Sequence, residues 1–131
     1  MNSRERVLAA LDHRSTDRVP IDCGATRQSG IHASAYHRLK QRLGLETPTR
    51  VFDLYQMLAE IEQPILDRLG ADVVGLQRPV VALGIRNENW KPWRLPDGTP
   101  VEVPGGFAPE TEPDGSLLLR HADGRPMARM P

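Results

Sequence analysis

Arg27, in the stretch Thr26-Arg27-Gln28-Ser29-Gly30, is the residue of this sequence best placed to do chemistry. Its guanidinium can pair bidentately with a carboxylate or a phosphate. It follows a short apolar run that reads as a strand, and loops at the C-terminal ends of parallel strands are where α/β enzymes build their sites. The plain alternative is a surface arginine, or one capping a neighbouring carbonyl. Other residue types with chemical potential lack a productive spacing. His32 and His37 are five apart, off the i, i+4 register of a metal pair on a helix. Cys23 has no basic neighbour to make it a thiolate and reads as a small buried residue. Glu60 and Glu62 diverge around a helix and read as a solvated face. Trp90 and Trp93 could stack on a planar ligand, but anchoring a hairpin is the simpler use. Gly105-Gly106 is followed by no Lys-Ser or Lys-Thr pair, so it is not a phosphate loop. No metal site is assigned.

The elements that would hold Arg27 follow from apolar spacing. Asn2 and Glu5 have the spacing of a capping box, and Val7, Leu8 and Leu11 give the helix after them an apolar stripe. Residues 19–23 read as a first strand, with Pro20 near its start. Residues 33–43 form a second amphipathic helix, stopped by Gly44. Leu54, Met57, Leu58, Ile61, Ile65 and Leu69 follow helical spacing up to Gly70, with a kink at Pro64. Residues 71–76, Ala-Asp-Val-Val-Gly-Leu, read as a buried parallel strand. Two strands separated by that much helix predict a right-handed crossover and a parallel sheet.

The second part of the chain has a different character. Three prolines (Pro20, Pro48, Pro64) precede residue 79 and the other nine of the twelve follow from it. Pro96-Asp97-Gly98, Pro113-Asp114-Gly115 and Ala122-Asp123-Gly124 are turn signals. Hairpins are predicted from residues 93–95 with 101–103 and from residues 116–120 with 125–130. The expected organisation is therefore strand and helix units over 1–78 and a Pro/Gly-rich antiparallel insertion over 79–131.

Composition narrows the function classes. Seventeen basic and seventeen acidic residues cancel in a chain of 131, so no net field favours nucleic acid or an anionic membrane. A single cysteine excludes an internal disulfide framework. No apolar run approaches the roughly 20 residues that span a bilayer, and the charged start Met1-Asn2-Ser3-Arg4-Glu5-Arg6 is unlike a secretory leader. A cytoplasmic protein that binds small ligands is expected.

Three stretches carry a resemblance: Ser3-Arg4-Glu5-Arg6-Val7-Leu8-Ala9-Ala10-Leu11, Asp17-Arg18-Val19-Pro20 and Thr26-Arg27-Gln28-Ser29-Gly30. Together they resemble the start of uroporphyrinogen decarboxylase superfamily proteins, which include the haem-pathway decarboxylase and corrinoid-linked methyltransferases on a (β/α)8 barrel. The likeness continues through residues 70–74, Trp90-Lys91-Pro92-Trp93 and Pro96-Asp97-Gly98. It implies the N-terminal portion of a (β/α)8 TIM-type barrel with an antiparallel β-hairpin insertion, since a whole barrel needs about 250 residues. It also implies that Arg27, Gln28, Ser29 and Gly30 bind substrate. In the decarboxylase the loop carries a second arginine, where this chain has Ile31. The decarboxylase's aspartate after the second strand is replaced by the stretch Leu76-Gln77-Arg78-Pro79, and Asp72 lies earlier.

These departures point to the methyltransferase branch, with a porphyrin-pathway decarboxylase fragment and a non-catalytic binding or assembly module as alternatives. The likeness implies a tetrapyrrole or methylated small-molecule substrate and a corrinoid protein as partner, with corrinoid and zinc in a full-length parent but not in this segment. Self-association, or pairing with the rest of the barrel, is the expected behaviour of the chain alone.

Overall fold

The computed structural model describes residues 1–130. It contains α1 (Ser3–Leu11), α2 (Ala33–Arg42), β1 (Val51–Asp53), β2 (Leu58–Ala59), α3 (Gln63–Leu69), a 3-10 turn (Ala82–Gly84), β3 (Lys91–Arg94), β4 (Pro100–Val103), β5 (Glu110–Thr111), β6 (Leu117–Arg120) and β7 (Pro126–Met130). No described helix is long and apolar enough to cross a membrane.

The expected barrel portion is not what the chain forms. Three short helices accompany antiparallel sheets of two, two and three strands, with no alternation of parallel strand and helix. Residues 19–23 and 71–76 approach each other in the same direction, Ile21 near Asp72 and Ala25 near Gly75, but neither is a strand. The N–H of Asp72 donates to the Ile21 carbonyl at 2.8 Å. Three residues further on, a Cβ on Gly75 would lie 3.0 Å from the Ala25 carbonyl oxygen. The reason no ladder forms is chemical: the Ile21 N–H is taken by the Asp72 carboxylate at 2.9 Å, so a side chain fills the place of a strand partner.

The long third helix is also corrected. Residues 51–59 form a tight antiparallel hairpin, pairing Val51 with Ala59 and Asp53 with Leu58. Asp53 Oδ1 accepts the N–H groups of Tyr55 at 3.0 Å and Gln56 at 2.8 Å, which closes a turn where the helix would have started. Only Gln63–Leu69 is helical, and Pro64 sits in its first turn, where its missing N–H costs nothing.

α1 has the predicted capping box, with reciprocal bonds of 2.9 Å between Asn2 and Glu5. Its buried positions are Arg6 and Ala9, while Leu8 and Leu11 are exposed, so the helix docks by its arginine and not by its apolar stripe. α2 buries Tyr36 and Lys40 and ends before Gly44 at φ +70°.

The predicted hairpins are present over slightly different ranges: β3 pairs with β4 and β6 with β7, and β5 adds a third strand beside β6 through the turn at Pro113-Asp114-Gly115. They do not cap a parallel sheet. The N–H of Glu102 in β4 donates to the Thr49 carbonyl at 2.8 Å, just before β1. One buried cluster includes Tyr36, Val51, Leu54 and Ile65 together with Val101, Val103, Phe107, Leu119 and Met130. It draws on both sides of position 78.

Candidate ligand site at the Arg27 loop

Residues 24–30 form a loop closed on itself. The Gly24 N–H donates to the Ser29 carbonyl at 2.9 Å, and the Ala25 N–H to Asp22 Oδ1 at 3.0 Å. Gly24 has φ +79°, and any Cβ there would overlap the side chain of Ile61. A Cβ on Gly30 would likewise lie 2.5 Å from Leu58 Cδ1. The loop is thus pressed by its two glycines against the hairpin and the segment that leads to α3.

At its tip, Arg27 Nε pairs with Oδ2 of Asp53. The Asp53 side chain is 1% exposed whereas Arg27 is half exposed, so a buried carboxylate at the end of β1 holds a guanidinium that still reaches solvent. Arg27 and Gln28 line a cavity of about 460 Å³ together with Thr26, Phe52, Gln77 and Arg78. Leu76, Val80 and Val81 add apolar wall. Ser29 and Gly30 do not line it: the Ser29 hydroxyl stays within the loop, facing Thr26. Ile31 faces away too, its carbonyl accepting the Ala59 N–H at 2.9 Å and its side chain set against the core.

The cavity brings together the loop at 26–28, where the likeness implies substrate contacts, and the stretch at 76–78, where the chain departs from the family's pattern. Asp53 and Arg78 were not singled out by sequence. Asp53 is reached only through the hairpin fold, and Arg78 only through the approach of residues 71–76 to residues 19–25.

The other candidates have structural roles. His32 Nδ1 accepts the Ser34 N–H at 3.3 Å as the cap of α2, and His37 Nδ1 lies 3.2 Å from the Thr49 hydroxyl. Burial pushes the Cys23 thiol above its ordinary pKa and Asp22 adds to this, which keeps it from being a thiolate. It borders a cleft of about 200 Å³ that includes Gly24, Glu60 and Gln77. Glu62 is not on a solvated face. It sits in a cluster with Tyr36, Lys40 and Thr47. Burial pushes its carboxyl up, but the bonds from Lys40 and Thr47 prevail and hold it below its ordinary value. Arg50 lies over the Trp90 ring at 5.0 Å, and Trp93 meets Phe107 edge to face at 5.4 Å, so both indoles tie the β3–β4 hairpin to the rest of the molecule.

Among the described residues no three His, Cys, Asp or Glu side chains converge as a metal needs. No family model, curated protein or solved structure matches the chain.

Proposed function

We propose that the chain is a segment of a uroporphyrinogen decarboxylase superfamily enzyme, nearer the corrinoid-linked methyltransferases, and that the 26–30 loop is its anion-binding corner. The observation that carries this reading is the cavity at which Arg27 and Gln28 meet Gln77 and Arg78. The loop that the likeness marks and a stretch about fifty residues further on face one space of small-molecule size. The Arg78 guanidinium, beside Arg27 in its pair with Asp53, suits an anionic ligand. By this reading the segment is inactive by itself.

The test is absorbance titration of the chain with hydroxocobalamin and with uroporphyrin, in parent and Arg27→Gln forms. Binding of hydroxocobalamin that weakens in Arg27→Gln supports the methyltransferase reading. Binding of uroporphyrin alone transfers the proposal to the decarboxylase. Binding of neither overturns it in favour of a non-catalytic assembly module, a reading that the exposed apolar side chains Val19, Val74 and Leu76 favour.

A further inference from the structure

We infer that the cavity at the Arg27 loop takes a small monoanion with an apolar body, and that Arg78, not Arg27, supplies the charge that selects it. This rests on the reading above only in placing the ligand site at this cavity. Arg27 is already matched: its Nε is engaged by Asp53, whose carboxylate is buried and otherwise accepts only the N–H groups of Tyr55 and Gln56. The pair is neutral as a unit. Arg78 faces the same cavity and has no acidic partner among the described residues. Only its backbone carbonyl is used, as an acceptor for the Asn87 side chain at 3.4 Å. One uncompensated positive charge therefore remains at the cavity.

The rest of the lining fits the same ligand. Gln28 and Gln77 are neutral amides that can donate to an anion without adding charge. Phe52 and the valines at 80 and 81 provide a wall for a ring or a branched chain. A second anionic group on the ligand would meet no second free cation there, and in a partly desolvated space an unmatched charge opposes binding. A neutral ligand would leave Arg78 unmatched.

The experiment is calorimetric titration of the chain with 2-naphthoate, neutral 2-naphthamide and naphthalene-2,6-dicarboxylate, repeated for Arg78→Gln and Arg78→Lys. The naphthoate should bind about tenfold or more tighter than the amide or the dicarboxylate, as expected for one charged hydrogen bond. Arg78→Gln should bring naphthoate to the level of the amide, Arg78→Lys should retain part of the preference, and added salt should weaken only the carboxylates. Circular dichroism of both variants checks that the exposed position has not altered the fold. Equal binding of naphthoate and naphthamide, no binding of any probe, or an Arg78→Gln variant that binds naphthoate as the parent does would overturn the inference. Naphthoate preference without binding of hydroxocobalamin or uroporphyrin leaves the inference standing and removes the family reading. Hydroxocobalamin binding without naphthoate preference does the reverse.

Discussion

Asp72 and Ile21 are joined twice: the Asp72 N–H donates to the Ile21 carbonyl at 2.8 Å, and the Asp72 carboxylate accepts the Ile21 N–H at 2.9 Å. The Asp72 side chain is 0% exposed and also receives Arg6 at 2.5 Å and Arg18 at 2.6 Å. Arg6 in turn bonds Asp17 at 2.7 Å. A single carboxylate thus ties α1, the segment at 17–21 and the segment at 71–76 into one unit. Because residues 76–78 continue from that unit to the cavity, the ion cluster also sets where Arg78 stands.

Acid should dissolve this unit. The Ile21 N–H bonds the charged carboxylate and holds Asp72 far below its ordinary pKa, with the two arginines adding to it against the cost of burial. Arg6 does the same to Asp17. A folded-state value below the unfolded one means that the unfolded chain binds protons first. The stabilisation is therefore complete above about pH 4 and is lost as pH falls below it toward the folded values. Thermal unfolding between pH 7 and pH 2 should show this loss, and Asp72→Asn should be less stable at pH 7 with a shallower acid slope. An unchanged slope in Asp72→Asn would assign the acid sensitivity elsewhere.

What could be read from sequence was local. The capping box of Asn2 and Glu5, the stops at Gly44 and Gly70 and the Asp-Gly turns each depend on a few consecutive residues, and each is present. Residues 54–62 were misread because Leu54 and Leu58 satisfy helical spacing, yet both are equally well buried when a hairpin folds back on itself. What decides between the two is Asp53, which turns the chain at once, and Met57, which accepts φ +53°. The stripe Leu8 and Leu11 was legible as a stripe, but no pattern within a helix says which face will be covered. At the site, Arg27 and Gln28 were legible, whereas Asp53 and Arg78 depend on contacts between distant segments.

Tyr36 offers a direct measure of a buried bond. Its hydroxyl donates to Glu62 Oε2 at 3.1 Å and accepts the Glu62 N–H at 2.9 Å, at the start of α3. Tyr36→Phe keeps the ring and leaves that N–H without its partner, so urea unfolding should show a loss of about 1–3 kcal/mol. A loss within a few tenths of the parent value would mean that water or another acceptor reaches Glu62.

Gly24 and Gly115 both have positive φ, +79° and +87°, but only Gly24 has a neighbour in the way of a Cβ. Gly115→Ala should cost about 1–2 kcal/mol for the backbone alone. Gly24→Ala should cost more than Gly115→Ala and also abolish 2-naphthoate binding, since Ile61 can make room only by displacing the loop that carries Arg27. Equal losses in the two variants would show that the loop at 24–30 yields freely.

Large apolar side chains are exposed at several places, and the segments at 19–23 and 71–76 hold Leu76 at 92%, Val19 at 79% and Val74 at 58%. Exposed apolar side chains of this size promote association. Sedimentation at increasing concentration should show self-association of the parent, and the double variant Val19→Lys, Val74→Lys should shift toward monomer. A parent that stays strictly monomeric at every concentration contradicts this.

Arg27 and Asp53 can be separated into a folding role and a binding role. Arg27→Gln strands a carboxylate that is 1% exposed and left with only its two backbone donors, Tyr55 and Gln56. The expected loss is about 1 kcal/mol, since the contact is an ion pair to a half-exposed arginine and Asp53 Oδ2 has no hydrogen-bond partner. Asp53→Asn alone should also destabilise, because the guanidinium loses its counter-charge. The double variant should then be more stable than the sum of the two losses allows, with a coupling of about 0.5–3 kcal/mol from the double-mutant cycle. Binding should behave differently. Because the pair is neutral as a unit, Arg27→Gln combined with Asp53→Asn leaves the cavity with the same net charge, and its 2-naphthoate affinity should stay within a few-fold of the parent. Arg27→Gln alone, which leaves Asp53 unmatched beside the cavity, should lower that affinity further than the double variant does. If the single and double variants bind alike and show no coupling in stability, Arg27 is a surface residue and Asp53 holds only its own turn. If the double variant loses binding altogether, Arg27 contacts the anion directly and shares the selecting charge with Arg78.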